Sequence, residues 1–97
     1  MRWIWDPAKD RRNKQLHGLN FATAACVFDD PLAVSRLDPY PHESRWQTVG
    51  TIGGVVAIFV IHTWPDPDPA TGEEVGRIIS ARKATARERK NYEEGEV

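Results

Sequence analysis

The densest group of residues that could act on a phosphate lies near the C-terminal end of the sequence. The basic residues between positions 77 and 90 are Arg77, Arg82, Lys83, Arg87, Arg89 and Lys90. Arg82 follows a predicted strand, and the end of a strand is a rigid place from which a side chain can reach a phosphate. Arginine suits this task because its planar guanidinium binds two oxygens at once. The group therefore predicts a site that stabilises negative charge on phosphoryl oxygens.

His62 supplies a base beside these arginines if two predicted strands pair symmetrically. When strands 55–64 and 75–82 pair about the loop 65–74, position 62 lies opposite position 77, with the two Cβ atoms ~5 Å apart. Arg77 would then lower the pKa of the imidazole and keep it neutral, ready to take a proton. The alternative is that His62 is only a polar residue at the end of a strand.

Other polar and aromatic residues have structural explanations as well as functional ones. His17 lies in the last turn of a predicted helix, where its side chain can bind free carbonyl groups. Glu88 completes a capping box with Thr85, so a helix end already uses its carboxylate. The ring of Tyr92 could stack on a nucleobase or pack against the sheet, and packing against the sheet is favoured. The four tryptophans offer stacking surfaces, although aromatic residues in a small domain usually form its core.

The composition indicates one small domain and excludes several classes of protein. The chain has 97 residues, enough for a single domain over 1–97 and too few for two. Its single cysteine, Cys26, cannot form an internal disulfide, which fits the reducing cytoplasm. No apolar run approaches the ~20 residues of a membrane helix, so we expect a cytoplasmic protein that does not enter a membrane. The sequence has neither Cys/His metal spacing nor a glycine-rich phosphate loop, and therefore predicts no metal and no cofactor.

The net charge of −1 hides a strong segregation of charge. A second basic stretch near the N-terminus contains Lys9, Arg11, Arg12 and Lys14. From Asp29 to Glu74, by contrast, eight acidic residues stand against only Arg36 and Arg45. Such segregation can give a near-neutral protein a basic face that binds a polyanion. The alternative is that these charges only solvate helix surfaces.

Hydrophobic patterning predicts the order β-α-α-(β)-β-β-β-α. The predicted strands cover 2–5, a weaker segment at 32–37, 46–52, 55–64 and 75–81, and the predicted helices begin at 7, 21 and 85. Gly53-Gly54 predicts a two-residue hairpin, and the other connections are short enough for neighbouring strands to be antiparallel. The sequence therefore predicts an α+β fold, with two N-terminal helices and a C-terminal helix on one face of a small antiparallel sheet.

Four separated motifs resemble the signature of one known family. They are W-D-P-A-K at 5–9, H-G at 17–18, V-F-D-D-P at 27–31, and R-I-I-S-A-R at 77–82 followed by an arginine-rich helix with Tyr92-Glu93. In this order they cover nearly the whole chain and resemble the BrnT family of toxins. The sequence departs from this signature in two places. The loop at 65–74 is longer and more acidic, and Val75-Gly76 stands where a further arginine is common before Arg77.

The resemblance implies a RelE-like fold and a metal-independent ribonuclease that halts growth by degrading RNA. It also implies a BrnA antitoxin that binds and neutralises the toxin, with the toxin forming a homodimer inside that complex. On this interpretation the catalytic residues are Arg77, Arg82 and His62. The residues expected to bind the rest of the RNA are Lys83, Arg87, Arg89, Lys9 and Arg12.

A non-catalytic module that binds nucleic acid or protein is the alternative, for example a degenerate toxin that lacks one phosphate contact at Gly76. An active site gathers its cations and a proton-transfer group around one cleft. A binding face spreads its cations over a surface. How closely the basic residues are gathered therefore distinguishes the two hypotheses.

Overall fold

The computed structural model describes residues 1–96. Its strands are β1 (Arg2–Ile4), β2 (Val34–Leu37), β3 (Trp46–Ile52), β4 (Val56–His62), β5 (Asp66–Pro67) and β6 (Glu74–Lys83). Its helices are α1 (Pro7–His17), α2 (Phe21–Ala24) and α3 (Ala86–Glu93), and a 3₁₀ helix spans Ala25–Asp29. The predicted order of elements is confirmed with one addition, because the short β5 lies within the predicted loop 65–74.

The sheet has the strand order β1-β6-β4-β3-β2, with the short β5 paired to β6. All pairs are antiparallel except β1 with β6, which is parallel. The predicted α+β fold is confirmed. One hairpin differs from the prediction: Ile52 pairs with Val56, so three residues rather than two form the turn. Gly53 and Gly54 both have positive φ angles there, of 62° and 73°, which glycine adopts at little cost.

Local signals set the ends of α1, and one polar residue fixes it to the sheet. Asp6 caps its first turn, and Gly18 closes it with a φ of 69°. The helix has little apolar surface, yet Asn13 is only 6% exposed. The Asn13 amide group donates to the carbonyls of Leu19 and Ala81, at 2.8 Å each, and its oxygen accepts from the Ala81 N–H. A buried amide that satisfies both its donor and acceptor groups can dock a polar helix without an apolar stripe.

The main core lies between the N-terminal helices and one side of the sheet. Its buried members are Phe21, Ala24, Val27, Ile58, Val60, Ile78 and Ala81. The predicted second helix is shorter than expected, because after Ala24 the chain tightens into the 3₁₀ helix. The tighter turn of the 3₁₀ helix places Val27 in the core. Phe28 lies nearer the edge of the core and stacks on Trp3, with ring centroids 3.9 Å apart.

The C-terminal helix α3 lies on the opposite side of the sheet, so the expectation that all helices share one face is wrong. Its capping box of Thr85 and Glu88 is formed as predicted. Near the other end of α3, the Tyr92 hydroxyl donates to Asp30 at 2.6 Å. Asp30 also accepts from the backbone N–H of Thr51 at 2.8 Å. These bonds tie α3 to the end of the 3₁₀ helix and to β3. No helix among residues 1–96 is long and apolar enough to cross a membrane.

Candidate functional site

The two sides of the sheet carry different kinds of side chain, because successive residues of a strand point to opposite faces. We call the side covered by α1 and α2 the helix face. It carries Thr48, Gly50, Ile58, Val60, His62 and Ile78. We call the other side, which α3 covers in part, the outer face. It carries Gln47, Val49, Phe59, Arg77 and Arg82.

Arg82 lies on the outer face and is held from several sides. Its guanidinium makes two hydrogen bonds to the carboxylate of Glu88, at 2.8 and 3.0 Å, and a third to the Lys83 carbonyl at 3.1 Å. The same group lies 4.1 Å from the ring centre of Phe59. The hydrogen bonds to Glu88 raise the pKa of Arg82. Arg82 is therefore an oriented, permanently charged group rather than a free exposed cation.

Arg77 lies on the same face, near the loop between β2 and β3. Its guanidinium donates to the carboxylate of Glu43, which also accepts from Arg45 at 2.8 Å. The hydrogen bond from Arg45, together with the positive charges of both arginines, lowers the pKa of Glu43. The side chain of Arg77 is 43% exposed, whereas that of Arg45 is 19% exposed. Arg77 therefore has donor groups that still reach solvent.

A third arginine is oriented on the outer face by a chain of polar contacts. Arg36 donates from Nε to the Gln47 side-chain oxygen at 2.7 Å, and the Gln47 amide donates to Asp38 at 2.7 Å. These residues lie on β2, on β3 and at the start of the loop between them. Strand residues and loop residues thus build one polar surface on this side of the sheet.

The prediction that His62 lies opposite Arg77 is wrong. A bulge at Ile61 and His62 shifts the register, so that His62 pairs with Ile78. His62 lies on the helix face because it follows Ile58 and Val60 at alternate positions of β4, and it is 1% exposed. Its ring meets the edges of Trp3 and Phe28, with centroids 5.3 and 4.8 Å away.

Both ring nitrogens of His62 have partners inside the protein. Nδ1 lies 2.9 Å from the Thr63 carbonyl, and Nε2 lies 2.6 Å from the Thr48 hydroxyl. A carbonyl oxygen only accepts, so Nδ1 carries the proton and Nε2 accepts from Thr48. Burial lowers the pKa of His62, although the bond to the Thr63 carbonyl opposes this. Burial, and not Arg77, is therefore the cause of the lowered pKa of His62.

The residues predicted to bind the rest of an RNA are all exposed but do not share one face. They are Lys9 and Arg12 on α1, Lys83 at the end of β6, and Arg87 and Arg89 on α3. Because α1 and α3 cover opposite faces of the sheet, their cations are separated by its thickness. Lys83 borders the same groove as His17 and Leu19, on the helix face. Of these five residues, only those on α3 lie on the side of Arg77 and Arg82.

Glu43 and Arg45, two loop residues of this surface, were not predicted from the sequence. The available signal was local: an acid and a base stand directly before a predicted strand. The contact of Glu43 with Arg77 spans 34 positions of sequence. Within residues 1–96, no three His, Cys, Asp or Glu side chains come together as a possible metal site.

The fold and this surface define a small α+β protein that presents oriented arginines on one side of a sheet, as proteins that bind phosphate groups do. The family model described as "Ribonuclease toxin, BrnT, of type II toxin-antitoxin system" matches residues 5–88. A search of curated proteins finds no match.

Among solved structures, the chain is similar to the ribonuclease toxin BrnT of Brucella abortus. The two are 28% identical, with a TM-score of 0.60, over 88% of this chain and 97% of that one. The chain belongs to the BrnT family of ribonuclease toxins of type II toxin–antitoxin systems. Membership implies ribonuclease activity, an RNA substrate and an antitoxin partner.

Proposed function

We propose that the chain is an active endoribonuclease that cleaves RNA on the outer face of its sheet, without a metal ion. The observation that carries the proposal is that Arg77 and Arg82, on one strand, both point to this face and are both held in place by a carboxylate. Preorganised cations stabilise the charge that develops on phosphoryl oxygens, and they do not have to reorganise during the reaction.

The two arginines serve different phosphates of one RNA strand. Arg77 and Arg82 are five positions apart on β6, which places their Cα atoms ~15 Å apart, too far for both to hold one phosphate closely. We assign Arg77 to the phosphate that is cleaved, because it is the more exposed of the two, at 43% against 36%. Arg82 then binds a neighbouring phosphate through the N–H groups that Glu88 and the Lys83 carbonyl leave free.

His62 is left out of the proposed site. It lies on the opposite face, and both of its nitrogens are already bonded within the protein. Arg87 and Arg89 on α3 are the remaining cations best placed to bind RNA beside Arg82. An RNA would contact Lys83, Lys9 and Arg12 only if it wrapped around the edge of the sheet.

The partner is proposed to be a BrnA-like antitoxin, and the toxin is proposed to form a homodimer within their complex. Family membership supports the antitoxin, and the resemblance of the sequence motifs supports its type. If this is right, expression of the chain alone arrests growth and degrades RNA, and co-expression of the small protein encoded next to it restores growth. Normal growth with verified soluble protein would instead indicate a degenerate toxin.

Metal independence is tested separately with the purified chain. Arginines and a protein base are sufficient for cleavage by attack of the RNA's own 2′-OH, so activity should survive a chelator. Loss of cleavage in the chelator, with recovery when a divalent ion is added back, would contradict this part of the proposal.

A further inference from the structure

We propose that His42 is the residue that takes the proton from the attacking 2′-OH of the RNA. This inference rests on the proposed function, because it assigns a role within the same reaction. His42 lies in the segment 38–45, between β2 and β3, which we call the β2–β3 loop.

A continuous series of contacts connects His42 with Arg77. The His42 ring meets Tyr40 edge to face, with centroids 5.3 Å apart and planes at 77°. The guanidinium of Arg45 lies 3.8 Å from the centre of the same tyrosine ring. Arg45 in turn binds Glu43, and Glu43 binds Arg77. An imidazole, a phenol, a carboxylate and two guanidiniums therefore form one cluster at this end of the outer face.

The β2–β3 loop is fixed at its base, so it can position a catalytic group. The Asp38 N–H donates to the Arg45 carbonyl at 2.7 Å and joins the two ends of the loop. The Asp38 carboxylate accepts from the Tyr40 N–H at 3.0 Å and from the Gln47 amide at 2.7 Å. The His42 side chain extends from this frame and is exposed, which leaves its ring accessible to a substrate.

Cleavage needs a group that exchanges protons near neutral pH, and histidine is the side chain best suited to this. The chain has three histidines. His62 is buried on the helix face with both nitrogens bonded, and His17 ends α1 on the same side. Within residues 1–96, His42 is the histidine that is connected, through Tyr40 and Arg45, to the arginines of the outer face.

The arginines and the carboxylate of the cluster divide the remaining tasks. Arg45, with its side chain 19% exposed, is a positioning residue that holds both Tyr40 and Glu43. Glu43 engages one terminal nitrogen of Arg77. A guanidinium has five N–H donors, so the partly exposed Arg77 keeps donors for a phosphate.

The reaction is an internal transfer of the phosphoryl group. His42 takes the proton of the 2′-OH while the 2′-oxygen forms a bond to the adjacent phosphorus, and the bond from phosphorus to the 5′-oxygen breaks. The departing 5′-oxygen takes a proton from water, and the hydroxide so formed takes the proton held by His42. The products are a 2′,3′-cyclic phosphate and a 5′-hydroxyl, with no oxidation and no net use of water.

The test compares His42→Gln with His17→Gln, a matched change at an exposed histidine on the helix face. The wild type and both variants are assayed on two forms of RNA. The first is purified total cellular RNA, and the second is the RNA of a translating cell extract. Glutamine keeps the polarity and approximate size of histidine but cannot take the proton. We expect His42→Gln to lower kcat about 100-fold or more, the contribution of a positioned base, with little change in KM. We expect His17→Gln to match the wild type.

The pH dependence separates a base from a structural residue. The wild-type rate should fall as the pH is lowered from about 8 to about 5, because a base must be unprotonated to act. In His42→Gln this fall should be absent. Retention of the wild-type kcat and pH dependence by a folded His42→Gln variant would overturn the assignment and leave the proposed function standing. A wild-type chain that cleaves neither form of RNA would overturn the proposed function, and the assignment with it.

Discussion

The two faces of the sheet use the same polar residue types in opposite ways. On the helix face, His62 is enclosed by aromatic rings and has both nitrogens bonded within the protein. On the outer face, His42 is exposed, and the guanidiniums of Arg77 and Arg82 are oriented yet partly open to solvent. A polar group whose bonds are all satisfied inside the fold contributes to stability and specificity of packing. One that is positioned but open can bind a substrate.

This contrast predicts that substitutions on the two faces have separable effects. Changes on the helix face should lower the free energy of unfolding and leave the activity of each folded molecule intact. Changes on the outer face should lower activity and leave stability almost unchanged.

The largest effect is expected from Arg77→Ala on the outer face. If Arg77 stabilises the transition state at the cleaved phosphate, its loss should lower the cleavage rate by about 10²–10³-fold, or roughly 3–4 kcal/mol. Arg82→Ala should lower it only about tenfold, and low salt should restore most of that loss, because Arg82 binds a neighbouring phosphate. Rates measured at two salt concentrations distinguish these cases.

Arg11→Ala is the matched control for both arginine variants, since Arg11 is exposed on α1, on the other side of the sheet. If Arg82→Ala rather than Arg77→Ala gave the salt-independent loss, the cleaved phosphate would lie at the Glu88 end of the face.

His62→Ala should have the largest effect on the helix face. It removes a ring that is 1% exposed and leaves the Thr48 hydroxyl without its acceptor. The cavity and the lost hydrogen bond together should lower the free energy of unfolding by about 3 kcal/mol, as measured with urea. Cleavage per folded molecule should stay at the wild-type value. A stable His62→Ala protein without activity would return His62 to the active site.

Gly76→Ala should cost somewhat less, about 1–3 kcal/mol of stability. A Cβ at position 76 would press into the ring of Trp3, with ring atoms nearer than 3.0 Å. The cost should shrink in a Trp3→Leu background, because a smaller side chain leaves room for the methyl group. Equal costs in the two backgrounds, measured by urea unfolding, would show that Trp3 is not the obstacle.

Acid should produce the smallest effect, through Asp30. Partial burial would raise the pKa of Asp30, but hydrogen bonds from Tyr92, Thr51 and Leu32 outweigh it and lower the pKa from 3.8 to about 2. Because the folded-state pKa is depressed, this stabilisation is present above about pH 4 and is lost as the pH falls towards 2. Allowing for solvent screening, it amounts to about 1 kcal/mol.

The Asp30 contribution can be measured by thermal unfolding of the wild type and Tyr92→Phe between pH 5 and about pH 2. The variant removes one donor to Asp30 and should show a weaker loss of stability with acid. The same loss in both proteins would assign the acid sensitivity to other carboxylates.

Features set by neighbouring residues could be predicted from the sequence. The ends of α1 and α3 follow from Asp6, Gly18 and the pair Thr85 and Glu88, each acting within a few positions of its partner. The continuous apolar run identified β4, and the α+β fold followed from the order of strands and helices. The motifs shared with the BrnT family added the functional class.

Features set by distant residues could not be predicted. Nothing in the local pattern indicates the register of β4 and β6, in which Ile61 pairs with Ser80 and, after a bulge, His62 pairs with Ile78 rather than Arg77. Asn13 reaches Ala81 across 68 positions, and Arg77 reaches Glu43 across 34. A periodicity argument detects apolar faces, so it finds neither a polar residue that docks a helix nor a loop that completes a site.

The most direct test of the outer face as the RNA-binding face is an NMR titration with an RNA that cannot be cleaved, because 2′-O-methyl groups replace its 2′-OH groups. Each face carries its own probe. The side-chain Nε–H signals of Arg77 and Arg82 report on the outer face, whereas the indole N–H signals of the four tryptophans report on the helix face, which Trp3, Trp5, Trp46 and Trp64 all border. We predict that RNA shifts the two arginine signals in a saturable manner and leaves the indole signals almost unmoved. Saturable shifts of the indole signals with unmoved arginine signals would contradict the assignment of RNA to the outer face.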